Sequence, residues 1–156
     1  MIEAWRLDKT KHKKEAFTGE GARRVSGRWQ HQGIPVVYVS ESLALAVLEK
    51  FVHLGFDASH IKFVYFKIVI PDGVPIEKLR TDDLPVDWTA EPPRNSTKDI
   101  GTHWARKGET AVLRVPSVLV PKSWNYLLNP AHRDFAKIRI SNPMPFIFDP
   151  RMWKEK

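Results

Sequence analysis

Apolar positions along the chain fall into several short runs of strand character and one clear helical stretch. Ile2 to Leu7 predicts a short first strand. Val36-Val37-Tyr38-Val39 is a β-branched run that predicts a buried strand. Ser40 follows in position to cap a helix. Ser42 to Leu54 reads as that helix, with Leu45, Leu48 and Val52 at helical spacing and Gly55 as its stop. Ile61 to Ile70 is the longest strand signal, interrupted by Lys62 and Lys67 and closed by the turn Pro71-Asp72-Gly73. Asn95 or Ser96 is placed to cap a short helix through Trp104 and Arg106. Thr110 to Val115 and Val118 to Val120 predict strands separated by Pro116-Ser117. Ser123 to His132 reads as turn-rich, Phe135 to Ile140 as a strand, and Pro145 to Phe148 as a last short one. Residues 81–95, with Pro85, Pro92 and Pro93, predict an irregular surface segment. The sum is a single α+β domain over residues 1–156, with more strand than helix and no internal repeat or linker.

Composition narrows the function classes. The 156 residues contain no cysteine, which removes disulfides, a thiolate nucleophile and cysteine-containing zinc sites. No window approaches the roughly 18 consecutive apolar residues of a membrane-spanning helix, and the N-terminus lacks a signal peptide's apolar core. The expected compartment is the cytoplasm. Charge is more telling: 25 Lys and Arg against 18 Asp and Glu give +7. Residues 1–33 hold eight basic and four acidic side chains, so the excess is concentrated there. Such a surplus suits a polyanion, a small phosphorylated ligand or an acidic protein partner.

Four stretches carry candidate chemistry. Glu49 lies late in the predicted helix among Ala46, Val47, Leu48, Phe51 and Val52. A carboxylate in so apolar a surround is either paired at the helix edge or held for a purpose. Thr18 to Gly33 contains four of the eight glycines together with Arg23, Arg24 and Arg28. Glycine permits close approach of backbone to a ligand and Arg binds phosphate bidentately, so this loop is a candidate pyrophosphate cradle or else a solvated basic loop. It contains neither the Walker pattern nor G-x-G-x-x-G. Tyr38 closes the short strand 11 residues before Glu49, either as a core Tyr or as part of one cleft with it. Ser117 follows Pro116 without a G-x-S-x-G elbow, which favours a hydrogen-bonding Ser over a hydrolase nucleophile. The six His show no metal-ligand spacing.

Taken in order, several pieces agree. They are Trp5-Arg6, Gly19-Glu20-Gly21-Ala22-Arg23-Arg24, Gly27-Arg28-Trp29, Val37-Tyr38-Val39-Ser40-Glu41-Ser42, Leu45-Ala46-Val47-Leu48-Glu49, Val115-Pro116-Ser117 and Asn125-Tyr126-Leu127-Leu128-Asn129-Pro130-Ala131-His132. The chain resembles the RES-domain family, toxins of bacterial Xre–RES toxin–antitoxin systems, from Trp5 to about Phe148. The resemblance implies an ADP-ribosyltransferase-like fold of the diphtheria-toxin type, with a mixed β core and few helices. It implies NAD as substrate, consumed by hydrolysis or phosphorolysis of the nicotinamide–ribose bond or by transfer of ADP-ribose to a protein, without a metal. It also implies a cognate antitoxin with an Xre-like DNA-binding part whose tail covers the active site. A homodimer within that complex fits this reading; direct nucleic-acid binding and a membrane partner do not.

Carried over residue by residue, Glu49 matches the family's catalytic Glu, Tyr38 the site Tyr before it and Ser117 the Ser of the family name. Arg6 matches an Arg on the first strand, and Arg28 in Gly-Arg-Trp and Arg24 are also family-like, so all three are expected near the ligand; Glu49, Arg28 and Ser117 are the expected catalytic set. Arg6, Arg24, Tyr38 and Ser40 are the expected NAD-binding residues. The loop departs from a common Gly-Gly-Arg-Trp-Asn by reading Ser26-Gly27-Arg28-Trp29-Gln30. Two rivals remain open: a basic nucleic-acid-binding module, which no helix-turn-helix, zinc-finger or RNP-like motif supports, and a catalytically dead antitoxin-binding domain.

Overall fold

The computed structural model describes residues 1–154. Eight strands form one sheet: β1 (Ile2–Lys9), β2 (Val37–Ser40), β3 (Phe63–Ile70), β4 (Ile76–Lys78), β5 (Val112–Pro116), β6 (Trp124–Leu128), β7 (Arg139–Ile140) and β8 (Met144–Phe146). Three α-helices, α1 (Glu20–Arg24), α2 (Leu43–Phe51) and α3 (Asn95–Lys107), accompany it. Strand order is β4-β5-β6-β2-β1-β3-β7, with β8 also on β3. All pairs are antiparallel except β4–β5. This is the mixed α+β architecture that the hydropathy pattern predicts.

Register divides the side chains between two faces, because residues directly opposite in an antiparallel pair project to the same side. Val37, Leu128 and Val112 are in register across β2, β6 and β5. They join Val64, Phe66, Ile68 and Ile70 of β3 in one core. The next positions, Tyr38, Leu127 and Leu113, face the other way and pack with Trp29 and Trp104. On that second face, Leu7 and Phe63 make a separate cluster with Phe148 and with Val47 and Phe51 of α2.

Several boundaries differ from the sequence reading for identifiable reasons. Ser42, not Ser40, caps α2, its Oγ accepting from the Leu45 N–H at 3.0 Å; Ser40 is the last residue of β2. Leu48 and Val52 are 41% and 54% exposed, because the buried face of α2 runs instead through Leu45 and Ala46. That rotation puts Glu49, three and four residues on, over the same side. A one-turn helix, α1, stands inside the predicted glycine-rich loop. Ser96 donates to Asp87 rather than capping α3, which runs the full 13 residues to Gly108.

The predicted turn-rich Ser123–His132 contains β6, a central strand whose turn begins only at Asn129. Val118 to Val120 is not a strand, because the Ser117 Oγ accepts from the Leu119 and Val120 N–H groups and bends the chain away. The first half of predicted strand 135–140 is a 3-10 turn (Arg133–Lys137), started by His132 Nδ1 accepting from the Asp134 N–H, and only its end, Arg139–Ile140, is strand. Among the described residues no helix is long and apolar enough to cross a membrane.

Candidate active site

β1 and β2 share a single register pair, Trp5 with Ser40, and then part. An open cleft of about 660 Å³ lies there, lined from both sides of the second face by residues that include Leu7, Trp29 and Tyr38. The size suits a small-molecule ligand.

Glu49 of α2 lines this cleft. Its Oε1 accepts two hydrogen bonds from neutral donors, Ser117 Oγ at 2.7 Å and Asn125 Nδ2 at 2.9 Å. No Lys or Arg lies within ion-pair distance of it among the described residues. The carboxylate is therefore fixed in place without being neutralised. Asn125 is itself oriented. Ser40, its partner across β2–β6, donates from Oγ to Asn125 Oδ1 at 2.6 Å, which turns the amide nitrogen toward Glu49. Ser117 is buried and does not itself line the cleft, although Pro116 and Val118 do. The structure brings Ser40, Glu49, Ser117 and Asn125 into one chain of hydrogen bonds. Asn125 was quoted in the sequence only as part of a motif; nothing local marks it as Glu49's partner.

Tyr38 and the loop before it form the neighbouring wall. The Tyr38 hydroxyl donates to Gln30 Oε1 and accepts from the Trp29 N–H at 3.3 Å. Burial pushes its phenol pKa up, opposed by that backbone hydrogen bond and by the Arg28 charge. Gln30, where the common loop has Asn, is fully buried and ties the loop together. Its Oε1 accepts from Gly27 N–H at 2.9 Å and its Nε2 donates to the Val25 carbonyl at 2.9 Å. Gly27 is needed at this junction, since a Cβ would stand 2.5 Å from the Tyr38 hydroxyl and 2.6 Å from Gln30 Oε1.

The arginines separate into three roles. Arg6 lines the cleft, its Nη1 donating to the Tyr38 carbonyl at 2.8 Å across the split and its Nη2 to Asp8 Oδ2 at 3.0 Å. Burial pulls its pKa down, while Asp8 holds it up. Arg28 also lines the cleft, but its guanidinium donates to the carbonyls of Trp88 and Ala90 (2.9 and 2.8 Å) and to Glu91 Oε2 (3.0 Å). It thereby holds the proline-rich segment against the loop. Arg24 does not line the cleft. Its side chain is 59% exposed, and its guanidinium sits 3.5 Å from Glu20 and 3.8 Å from Glu15. The cradle expected from Arg23, Arg24 and Arg28 together is thus not assembled. Lys50 and Asp8, which no sequence motif marks, stand at or behind the wall instead, with Gln30 of the loop. Among the described residues no group of three or more His, Asp or Glu side chains is placed to share a metal ion.

The RES domain family model matches residues 3–149. Toxin Res of Photorhabdus laumondii is 40% identical over 153 residues, covering 97% of this chain and 97% of that protein. The Prs ADP-ribosylating toxin of a Sphingobium species is 38% identical over 152 residues, covering 95% and 94%. Among solved structures, a chain of the M. tuberculosis MbcT–MbcA toxin–antitoxin complex superposes with a TM-score of 0.75 over 97% of this chain and 86% of that one. At 16% identity, that likeness is one of fold.

Proposed function

The chain belongs to the RES-domain family, and on that premise we propose that it is a cytoplasmic toxin that breaks the nicotinamide–ribose bond of NAD. The observation that carries this reading is the Glu49 carboxylate, locked by Ser117 and Asn125 yet unpaired with any cation among the described residues, on the wall of a cleft large enough for a dinucleotide. Cleavage sends the C–N bonding pair to nicotinamide, which leaves neutral, and develops oxocarbenium character on the ribose. A preorganised carboxylate stabilises that charge and can hold a ribose hydroxyl, as one carboxylate does in many glycosidases. No general acid is needed for so good a leaving group. Water or phosphate then bonds to the ribose carbon, water giving up a proton, to leave ADP-ribose or its phosphorylated form. The ring of Tyr38 would pack on the nicotinamide and exclude water. Arg28, through its hold on residues 88–91, would shape the site. Residues 1–156 would act as one RES domain, restrained by a cognate antitoxin with an Xre-like DNA-binding part covering the cleft; a toxin–antitoxin complex as structural neighbour supports such a partner.

Purified protein incubated with NAD, with and without phosphate, should release nicotinamide in step with NAD loss. NAD left intact in both conditions would overturn the reading. A second reading, ADP-ribose transfer to a protein, is favoured by the name of the Sphingobium relative. Mass spectrometry separates the two: a protein carrying ADP-ribose supports transfer, free ADP-ribose or its phosphorylated form supports the first.

Asn125 acts through Glu49, so its loss should slow the reaction without ending it. Asn125→Ala removes one donor to the carboxylate, and the expected loss in kcat is about tenfold. The loss should fall on kcat rather than on KM, because the donor acts on the carboxylate that meets the developing charge. A raised KM with kcat unchanged would take Asn125 out of the positioning of Glu49.

A further inference from the structure

The charges that line or back the cleft pair off, with two exceptions. Arg28 is met by Glu91, Glu15 by His12 at 2.8 Å, and Arg6 by Asp8. Glu49 has no cationic partner among the described residues. The other exception is its chain neighbour on α2, Lys50. Lys50 lines the cleft, yet its Nζ donates no hydrogen bond to any described residue; the nearest carboxylate oxygen, Asp8 Oδ1, stands at 3.9 Å. That Asp8 is already engaged, accepting from Arg6 Nη2 at 3.0 Å and from the Lys9 N–H at 2.9 Å. Two cations thus share one carboxylate in a partly buried wall, leaving a net positive charge with no further anion among the described residues to complete it. Arg6 Nε is buried with no partner either. Burial, together with the positive charges of Arg6 and Lys9, pulls the Lys50 pKa down against Asp8, the signature of a cation short of counter-charge. An anion entering the cleft here would meet three ammonium donors not yet used.

We infer that Arg6 and Lys50, braced by Asp8, form an anion subsite that takes a diphosphate, in place of the loop arginines Arg23 and Arg24. The inference deepens the NAD reading and rests on it for the identity of the diphosphate. The match to a dinucleotide is one of charge order. The unpaired carboxylate of Glu49 serves the end where positive charge develops. The ammonium of Lys50, the next residue, held only by a shared carboxylate at 3.9 Å, serves the linkage that bears negative charge. Arg6 does double duty, since the same guanidinium that fills the split between β1 and β2 places its charge beside Lys50.

The test uses the full chain and inorganic pyrophosphate as probe. Pyrophosphate should bind the wild-type protein by calorimetry and compete with NAD. In Lys50→Gln, pyrophosphate affinity should fall and KM for NAD should rise, each roughly tenfold or more, with kcat little changed. Lys50→Arg should recover most of both. Arg24→Gln, altered off the cleft, should keep wild-type values. Because Lys50 makes no hydrogen bond in the fold, the variant is expected to melt with the wild type, and a melting curve verifies this. Unchanged pyrophosphate affinity and KM in Lys50→Gln, or an equal loss in Arg24→Gln, would overturn the subsite. If pyrophosphate binds in a Lys50-dependent way but wild-type protein releases no nicotinamide from NAD, the subsite stands and the NAD reading falls.

Discussion

Glu49→Gln is expected to lower nicotinamide release on the order of 1,000-fold while leaving a protein that folds as the wild type does. The size follows from the work assigned to the group. A fixed charge facing a developing opposite charge in a water-poor site contributes about 3–4 kcal/mol, which is two to three decades in rate. The fold should survive because glutamine has the same shape and keeps the oxygen that matters to it. The amide Oε1 still accepts from Ser117 Oγ and Asn125 Nδ2, which hold the wild-type carboxylate at 2.7 and 2.9 Å. Only the formal charge and the second oxygen's acceptor character are lost. Nicotinamide release and thermal melting measured on the same preparation decide it. Wild-type release from the Gln variant would remove Glu49 from the chemistry, whatever the protein then turned out to do.

The largest expected effect on stability lies away from the reacting group, at Gly101. This residue of α3 is buried, and a Cβ there would overlap the carbonyl oxygen of Trp29 and stand 3.2 Å from Leu127 Cδ2. The carbonyl belongs to the backbone of the glycine- and arginine-containing loop, and His31, two residues on, donates its N–H to Oγ1 of Thr102, the neighbour of Gly101, at 2.9 Å. It cannot swing aside as a side chain would. Gly101→Ala must therefore lift α3 off the Trp29–His31 segment, opening the cluster of Trp29, Trp104, Leu113 and Leu127. The expected cost is about 3 kcal/mol, at the upper end of overpacking, despite alanine's better helix propensity. For a chain of this size the melting temperature should fall by roughly 6–12 °C. A melting temperature within about 2 °C of wild type would mean that the helix adjusts freely and that its docking does not set the cleft.

These two residues mark the boundary of what can be read from the chain. Glu49 was visible as a carboxylate in an apolar helix and through the family resemblance. Gly101 was not, since a glycine inside a helical stretch looks like a weak point until the backbone it touches is known. The same division runs through the fold. β1, β2 and β3 follow from apolar runs that tell their own story, whereas β6 was hidden by Ser123, Asn125 and the Asn129-Pro130 turn. Its polar residue, Asn125, stands in a strand interior because that position opens on the cleft.

By itself, the order of residues determined the α+β class, the three principal apolar strands and the family, and it singled out Glu49 as a candidate. These depend on local periodicity, turn chemistry and motifs, all of which act within a few residues. Only the tertiary structure decided what surrounds Glu49. Ser117 and Asn125 reach it from 68 and 76 residues away. Which side of β6 meets α2 depends on strand register, and a slip of one residue would send Asn125 to the opposite core. It was the pairing of charges in three dimensions that tied Arg24 to surface glutamates and Arg28 to the proline-rich segment, and left Lys50 only a 3.9 Å share of the Asp8 carboxylate that Arg6 already holds. Residue type states what charge is present, and only the arrangement of its neighbours states whether that charge is already spent.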